Sequence, residues 1–180
     1  MRLPALILAA ALALSPTAAV PALPTGARAP DFTASGALAG RPFSVRLSAL
    51  LRQGPVVLYF YPRAFTQGCT LEARAFSQAA AQFRRAGARV IGMSADDYET
   101  LRRFSVEECR NAFPVATATP ETIRAYDVLL RSGATMTNRT SYVIAPNGRI
   151  IYAHSDLDWR EHVNNTLAAV RRWRASQRRR

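Results

Sequence analysis

Lysine does not occur in this 180-residue chain, so all 24 basic side chains are arginine. Set against 12 acidic residues they leave a formal charge of +12. Cysteine and histidine are nearly absent: Cys69, Cys109, His154 and His162 are the full complement. Two cysteines exclude a disulfide-dense scaffold, and nothing in their spacing or that of the histidines suits a zinc site. No glycine-rich loop of the phosphate-cradling kind is present, so neither a nucleotide nor a metal cofactor is expected. There is no internal repeat and no long low-complexity linker.

The one long apolar run, Leu3 to Leu14, is too short to span a bilayer. It follows the charged start Met1-Arg2, is broken by Ser15, Pro16 and Thr17, and leads to the small-residue site Val20-Pro21-Ala22. Residues 1–22 therefore read as a secretory signal peptide, with an uncleaved membrane anchor as the rival reading. The expected mature chain is one domain, residues 23–174, with a basic C-terminal tail over 175–180. Export places it in a bacterial periplasm. The closing "RRWRASQRRR" holds six arginines and a single aromatic, Trp173. An exported chain meets little nucleic acid, so none is expected as a partner. Weak contact with a membrane surface is the reading for the tail. The sequence leaves monomer and dimer open.

Along the domain, residues 23–29 are rich in proline, alanine and glycine and read as extended. "RPFSVRLSALL" (41–51) predicts a short strand and a helical turn. "PVVLYFYP" (55–62) is a continuous apolar run suited to a strand covered on both faces. A helix then runs to Gly87, with Leu71, Phe76, Ala79, Ala80 and Phe83 expected along its inner face. "ARVIGMSAD" (88–96) is the next strand. Residues 97–111 form a second helix with Cys109 in its last turn, followed by a short strand and a helix starting at Pro120. Alternation on either side of Asn147-Gly148 predicts a hairpin, and Trp159–Trp173 an amphipathic helix with Val163, Leu167 and Val170 inward. The order calls for an α/β domain with a thioredoxin-like fold, a mixed central sheet flanked by helices.

Cys69 stands where a strand and loop give way to a helix, facing unpaired backbone N–H groups and the positive end of the helix dipole. Such placement lowers cysteine pKa values from about 8.5 to roughly 3.5–7.5 and so raises the nucleophilic thiolate. Thr66 can bring its hydroxyl to whatever the sulfur attacks. Pro62, lacking an N–H, can pack over the sulfur without competing for hydrogen bonds. A buried inert thiol or half of a static disulfide is the bland alternative. "His154-Ser155-Asp156" contains triad residue types, but triads meet through the fold rather than in sequence.

"PRAFTQGC" (62–69) resembles the peroxiredoxin pattern of proline, three residues, threonine, two residues, cysteine. "ARAPDFT", "VIGMSAD", "FPVATATPETIRAYDV" and "NRTSYVIAPNGRIIY" resemble the family's other segments, so the likeness covers roughly Gly26 to Trp173. It is nearest to the bacterioferritin comigratory protein, or Q-type, subgroup. The resemblance implies a thiol peroxidase that reduces hydrogen peroxide or small organic hydroperoxides. Cys69 would be peroxidatic, Thr66 would bond the peroxide, and Pro62 would shield the thiolate. Arg139 would stabilise thiolate and developing oxyanion, and Glu72 would orient the network. Many members of the subgroup carry a resolving cysteine five residues after the first, where this chain has Arg74. Cys109 is then the candidate resolver, and otherwise an external thiol is needed. A thioredoxin-like dithiol would supply electrons. Two rivals stand beside this reading. An exported thiol–disulfide oxidoreductase would need the C-x-x-C that Cys69-Thr70-Leu71-Glu72 lacks. A non-catalytic binding domain would use Cys69–Cys109 as a structural disulfide.

Overall fold

The computed structural model describes residues 22–179, so nearly all of the expected signal peptide lies outside the described residues. Among them, strands β1 (Thr33–Leu38), β2 (Arg41–Arg46), β3 (Val56–Phe60), β4 (Arg89–Ser94), β5 (Val115–Thr117), β6 (Thr140–Ile144) and β7 (Ile150–Ser155) form one sheet. Its order is β2-β1-β5-β4-β3-β6-β7. β3 pairs parallel with β4 and antiparallel with β6, and β6 pairs antiparallel with β7. The helices are α1 (Leu47–Leu51), α2 (Gln67–Arg85), α3 (Tyr98–Glu107), α4 (Pro120–Ala125) and α5 (His162–Gln177). No helix among the described residues is long and apolar enough to cross a membrane.

The apolar run of β3 is buried along its whole length and feeds both cores. Val57, Tyr59 and Tyr61 enter the core beneath α2, α3 and α5, while Val56, Leu58 and Phe60 enter the opposite one with Leu47, Leu51, Ile123 and Tyr126. This is the period-two alternation of a strand covered on both faces.

Several expectations need correction. β1 was not foreseen. It forms a hairpin with β2 through Ala39 (φ 52°) and Gly40 (φ 75°), two left-handed residues without the usual Asn-Gly signature. Leu71 is exposed, because the inner face of α2 runs through Cys69, Glu72, Ala73 and Phe76 instead. Cys109 lies beyond α3, whose last helical residue is Glu107. The chain leaves helical geometry through consecutive left-handed residues, Arg110 (φ 50°) and Asn111 (φ 59°). α5 runs past the expected Trp173 to Gln177, with Arg174 donating to the Arg85 carbonyl at the end of α2.

Candidate active site

The topology brings two distant segments together at one end of the adjacent strands β3 and β6. β3 ends at Phe60 and passes into α2 through residues 61–66. β6 runs antiparallel beside it, with Thr140 opposite Phe60. Arg139, immediately before β6, therefore lies over the first turn of α2. The connecting loop is held from three sides: Tyr61 N–H donates to the Met93 carbonyl (3.0 Å), Thr137 Oγ1 donates to the Tyr61 carbonyl (2.7 Å), and Ala64 N–H donates to Asp96 Oδ2 (2.8 Å). Phe65 adopts φ 63°, with its ring edge-on to Phe104 and under the Arg103 guanidinium. That turn places Thr66 as the N-cap of α2.

Cys69 sits in the first turn of α2, 1% exposed. The first-turn amides of a helix have no intrahelical carbonyl to bond, so their partial positive charge faces this end. Arg139 Nη2 donates to Cys69 Sγ at 3.4 Å. Arg139 is itself pinned: Nε donates to the Leu157 carbonyl (2.9 Å) and Nη1 to Glu72 Oε2. Burial opposes the charge on Arg139, but Glu72 and Cys69 hold its pKa above the ordinary arginine value. Thr66 is exposed, its hydroxyl donating to the Arg63 carbonyl (2.9 Å), and Pro62 is half-buried in the same loop. Gly68 gives the guanidinium room, since a Cβ there would lie 3.1 Å from Arg139 Nη2.

Beneath this pair lies a group of buried polar side chains, of which the resemblance named Glu72 and neither His162 nor Ser141. Glu72 is fully buried, and burial outweighs Arg139 to raise its pKa to about 8. His162, also fully buried, lies with Nδ1 3.7 Å from Glu72 Oε1. Its Nε2–H donates to the Asp156 carbonyl (2.9 Å), which can only accept. Nδ1 therefore accepts from the Ser141 hydroxyl (2.8 Å). Burial depresses its pKa to about 4, keeping it neutral. Neither Glu72 nor His162 carries a local signal of burial; only the pairing of β6 with β3 and α5 brings them inside.

Cys109 is fully buried in the same core as Cys69, and both thiols are free, so no structural Cys69–Cys109 disulfide is present. Burial, with Glu108 adding to it, raises the Cys109 pKa well above the usual thiol range. The Tyr59 and Tyr61 rings pack between α2 and α3, stacked on Phe76 and Phe104. Burial and the influence of both thiols push their hydroxyls up, and the Tyr59 hydroxyl has no hydrogen-bond partner. An unmade buried hydrogen bond costs about 1–3 kcal/mol. No cluster able to hold a metal occurs among the described residues.

A family model described as AhpC/TSA family matches residues 25–153, through the loop, α2, Cys109, Arg139 and most of β7. The chain belongs to the AhpC/TSA family. Peroxiredoxin Q, chloroplastic, of Sedum lineare is 31% identical over 145 residues, covering 79% of this chain and 75% of that protein. Peroxiredoxin Bcp of Xanthomonas campestris is 29% identical over 122 residues, covering 64% and 76%. The crystal structure of peroxidoxin BcpB from Mycobacterium tuberculosis superposes with TM-score 0.72 at 30% identity, covering 82% of this chain and 96% of that one. These relatives carry the Bcp and Q names that the sequence motifs resemble, and the thioredoxin-like mixed sheet is shared. This peroxiredoxin is a thiol peroxidase, an oxidoreductase.

Proposed function

We propose that Cys69 is the peroxidatic nucleophile and that Arg139, Thr66 and Pro62 complete its site. The observation that carries this is the Arg139 guanidinium, held by Glu72 and the Leu157 carbonyl with one nitrogen 3.4 Å from Cys69 Sγ. Sγ attacks the terminal oxygen of hydrogen peroxide or a small organic hydroperoxide. The S–O bond forms as the O–O bond breaks, and the departing oxygen takes a proton to leave as water or alcohol. Arg139, already in place, stabilises charge as it moves from sulfur to the leaving oxygen. Thr66 turns its hydroxyl from the Arg63 carbonyl to the bound peroxide, and Pro62 restricts the approach of larger disulfides.

Cys109 then attacks the Cys69 sulfenic acid, forming a disulfide and releasing water. A thioredoxin-like dithiol reduces that disulfide. The enzyme works after export, in a bacterial periplasm, delivered by residues 1–22. Its arginine-rich end touches anionic membrane: Arg85, Arg171, Arg174, Arg178 and Arg179 line one groove, about 24 Å along α2 from Cys69 at 1.5 Å per residue.

Intact mass and free-thiol count, taken before and seconds after one equivalent of hydrogen peroxide, test the cycle. Loss of both thiols and two hydrogens supports it. Gain of one oxygen keeps Cys69 and removes Cys109, and inert thiols overturn the assignment of Cys69. The Cys69→Ser variant should consume no peroxide above background.

A further inference from the structure

We propose that the Arg74–Glu108 ion pair is a latch that holds the Cys109 segment against the helix of Cys69 and sets the rate of disulfide formation. The proposal rests on Cys109 as the resolving cysteine. Arg74 lies on α2 five residues after Cys69, and Glu108 immediately precedes Cys109. Arg74 Nε donates to Glu108 Oε2 (2.6 Å) and Nη2 to Oε1 (3.3 Å), a two-pronged pair between the two cysteine-bearing elements. Arg74 is half-buried and Glu108 buried, so the pair is shielded more than a surface ion pair.

The segment beyond the pair is poised to open. Arg110 and Asn111 are consecutive non-glycine residues in left-handed conformation, which persists only where the surroundings impose it. Cys109 N–H and Asn111 N–H cap α3 by bonding the Phe104 and Ser105 carbonyls (both 3.0 Å), and Ala112 N–H bonds the Cys109 carbonyl (2.9 Å). The neighbouring Tyr59 hydroxyl is buried without a hydrogen-bond partner. Closed, the Cys109 thiol is fully buried and unpaired with Cys69. Released, Cys109–SH meets Cys69–SOH, the S–S bond forms, and the sulfenic oxygen leaves as water with the thiol proton. A slow release leaves the sulfenic acid exposed to a second peroxide, which oxidises it to sulfinic acid.

The latch is tested by quenching the reduced protein with an alkylating agent at intervals after one equivalent of hydrogen peroxide and weighing the products. Arg74→Ala and Glu108→Gln should each form the disulfide at least about tenfold faster, with the rate of peroxide consumption unchanged and less sulfinic acid at excess peroxide. The double variant should be no faster than either single, because both remove one interaction. Arg102→Ala, which removes the exposed Arg102–Glu99 pair within α3 (2.9 Å), should match wild type. Unchanged disulfide rates in the Arg74 and Glu108 variants, multiplied effects in the double, or equal acceleration by Arg102→Ala overturn the latch. Disulfide appearing only in the latch variants supports it. If wild type and variants alike stop at one added oxygen, Cys109 is not the resolver and the latch falls with that reading.

Discussion

Glu72 and His162 face each other inside the core, 3.7 Å from carboxylate oxygen to ring nitrogen, with no hydrogen bond between them. Ser141 already occupies His162 Nδ1, so Glu72 is tied on one side only, to Arg139. The proposed peroxidatic site is thus backed by two buried titratable groups whose pKa values move in opposite directions, one acid up and one base down. Arg139 faces the same pair from just before β6, His154 faces His162 from β7, Asp156 and Asp158 face it from the turn before α5, and Tyr59 faces Glu72 from β3.

Stability should therefore fall with alkaline pH. Unfolded, Glu72 titrates near 4.5; folded, near 8, so between these values the folded state holds the extra proton and stability is lost as pH rises. His162 acts oppositely between about 4 and 6.5, where the unfolded state holds the extra proton. The two oppose each other up to about pH 6.5, so the decline falls between about pH 6.5 and 8 and is on the order of 1–2 kcal/mol in all. Urea denaturation of the reduced protein across pH 5–8.5 should show this decline in wild type and its absence in Glu72→Gln. The same slope in both would remove Glu72 from the account.

Arg139 makes three contacts in three directions, and a lysine ammonium cannot reproduce that planar fork. Arg139→Lys keeps the charge but not its aim. Its second-order rate constant with hydrogen peroxide should drop by about 10²–10³. A rate within twofold of wild type would show that charge alone suffices.

Gly68 tests positioning without altering charge. A methyl there would press on Arg139 Nη2 at 3.1 Å and meet Trp159 at 3.8 Å, while alanine itself favours the helix. Gly68→Ala should retain wild-type stability and lose roughly tenfold or more in peroxide reactivity, since small misplacements of a stabilising group are costly. Full activity would mean that Arg139 moves without penalty.

Strong local patterns carried much of the fold. The apolar run of β3 and the Asn147-Gly148 turn between β6 and β7 speak for themselves, whereas the Ala39-Gly40 turn of β1–β2 has no such signature. Within α2 the inner face was traced through Leu71, whereas Glu72, which the resemblance assigned to the network, lies on that face and is paired there by Arg139 from just before β6. Arg139 could not be singled out among 24 arginines by composition, only by its place ahead of "TSYVI" in a resembling segment. Asp96, His162 and Ser141 gave no local sign of their roles because their partners lie far away in sequence.

Asp96 is the clearest of these. Its Oδ2 accepts the Ala64 N–H and the Ser94 hydroxyl, each at 2.8 Å, and so ties the loop carrying Pro62 and Thr66 to the end of β4. Asp96→Ala leaves both donors without that acceptor, which should cost about 1–3 kcal/mol in urea denaturation. Freed at Ala64, the loop should hold Thr66 less firmly, lowering peroxide reactivity alongside stability. Asp96→Asn keeps an acceptor oxygen of the same size at the same place, so it should recover most of both. If alanine and asparagine lose equally, the negative charge of Asp96, rather than its hydrogen bonds, anchors the loop.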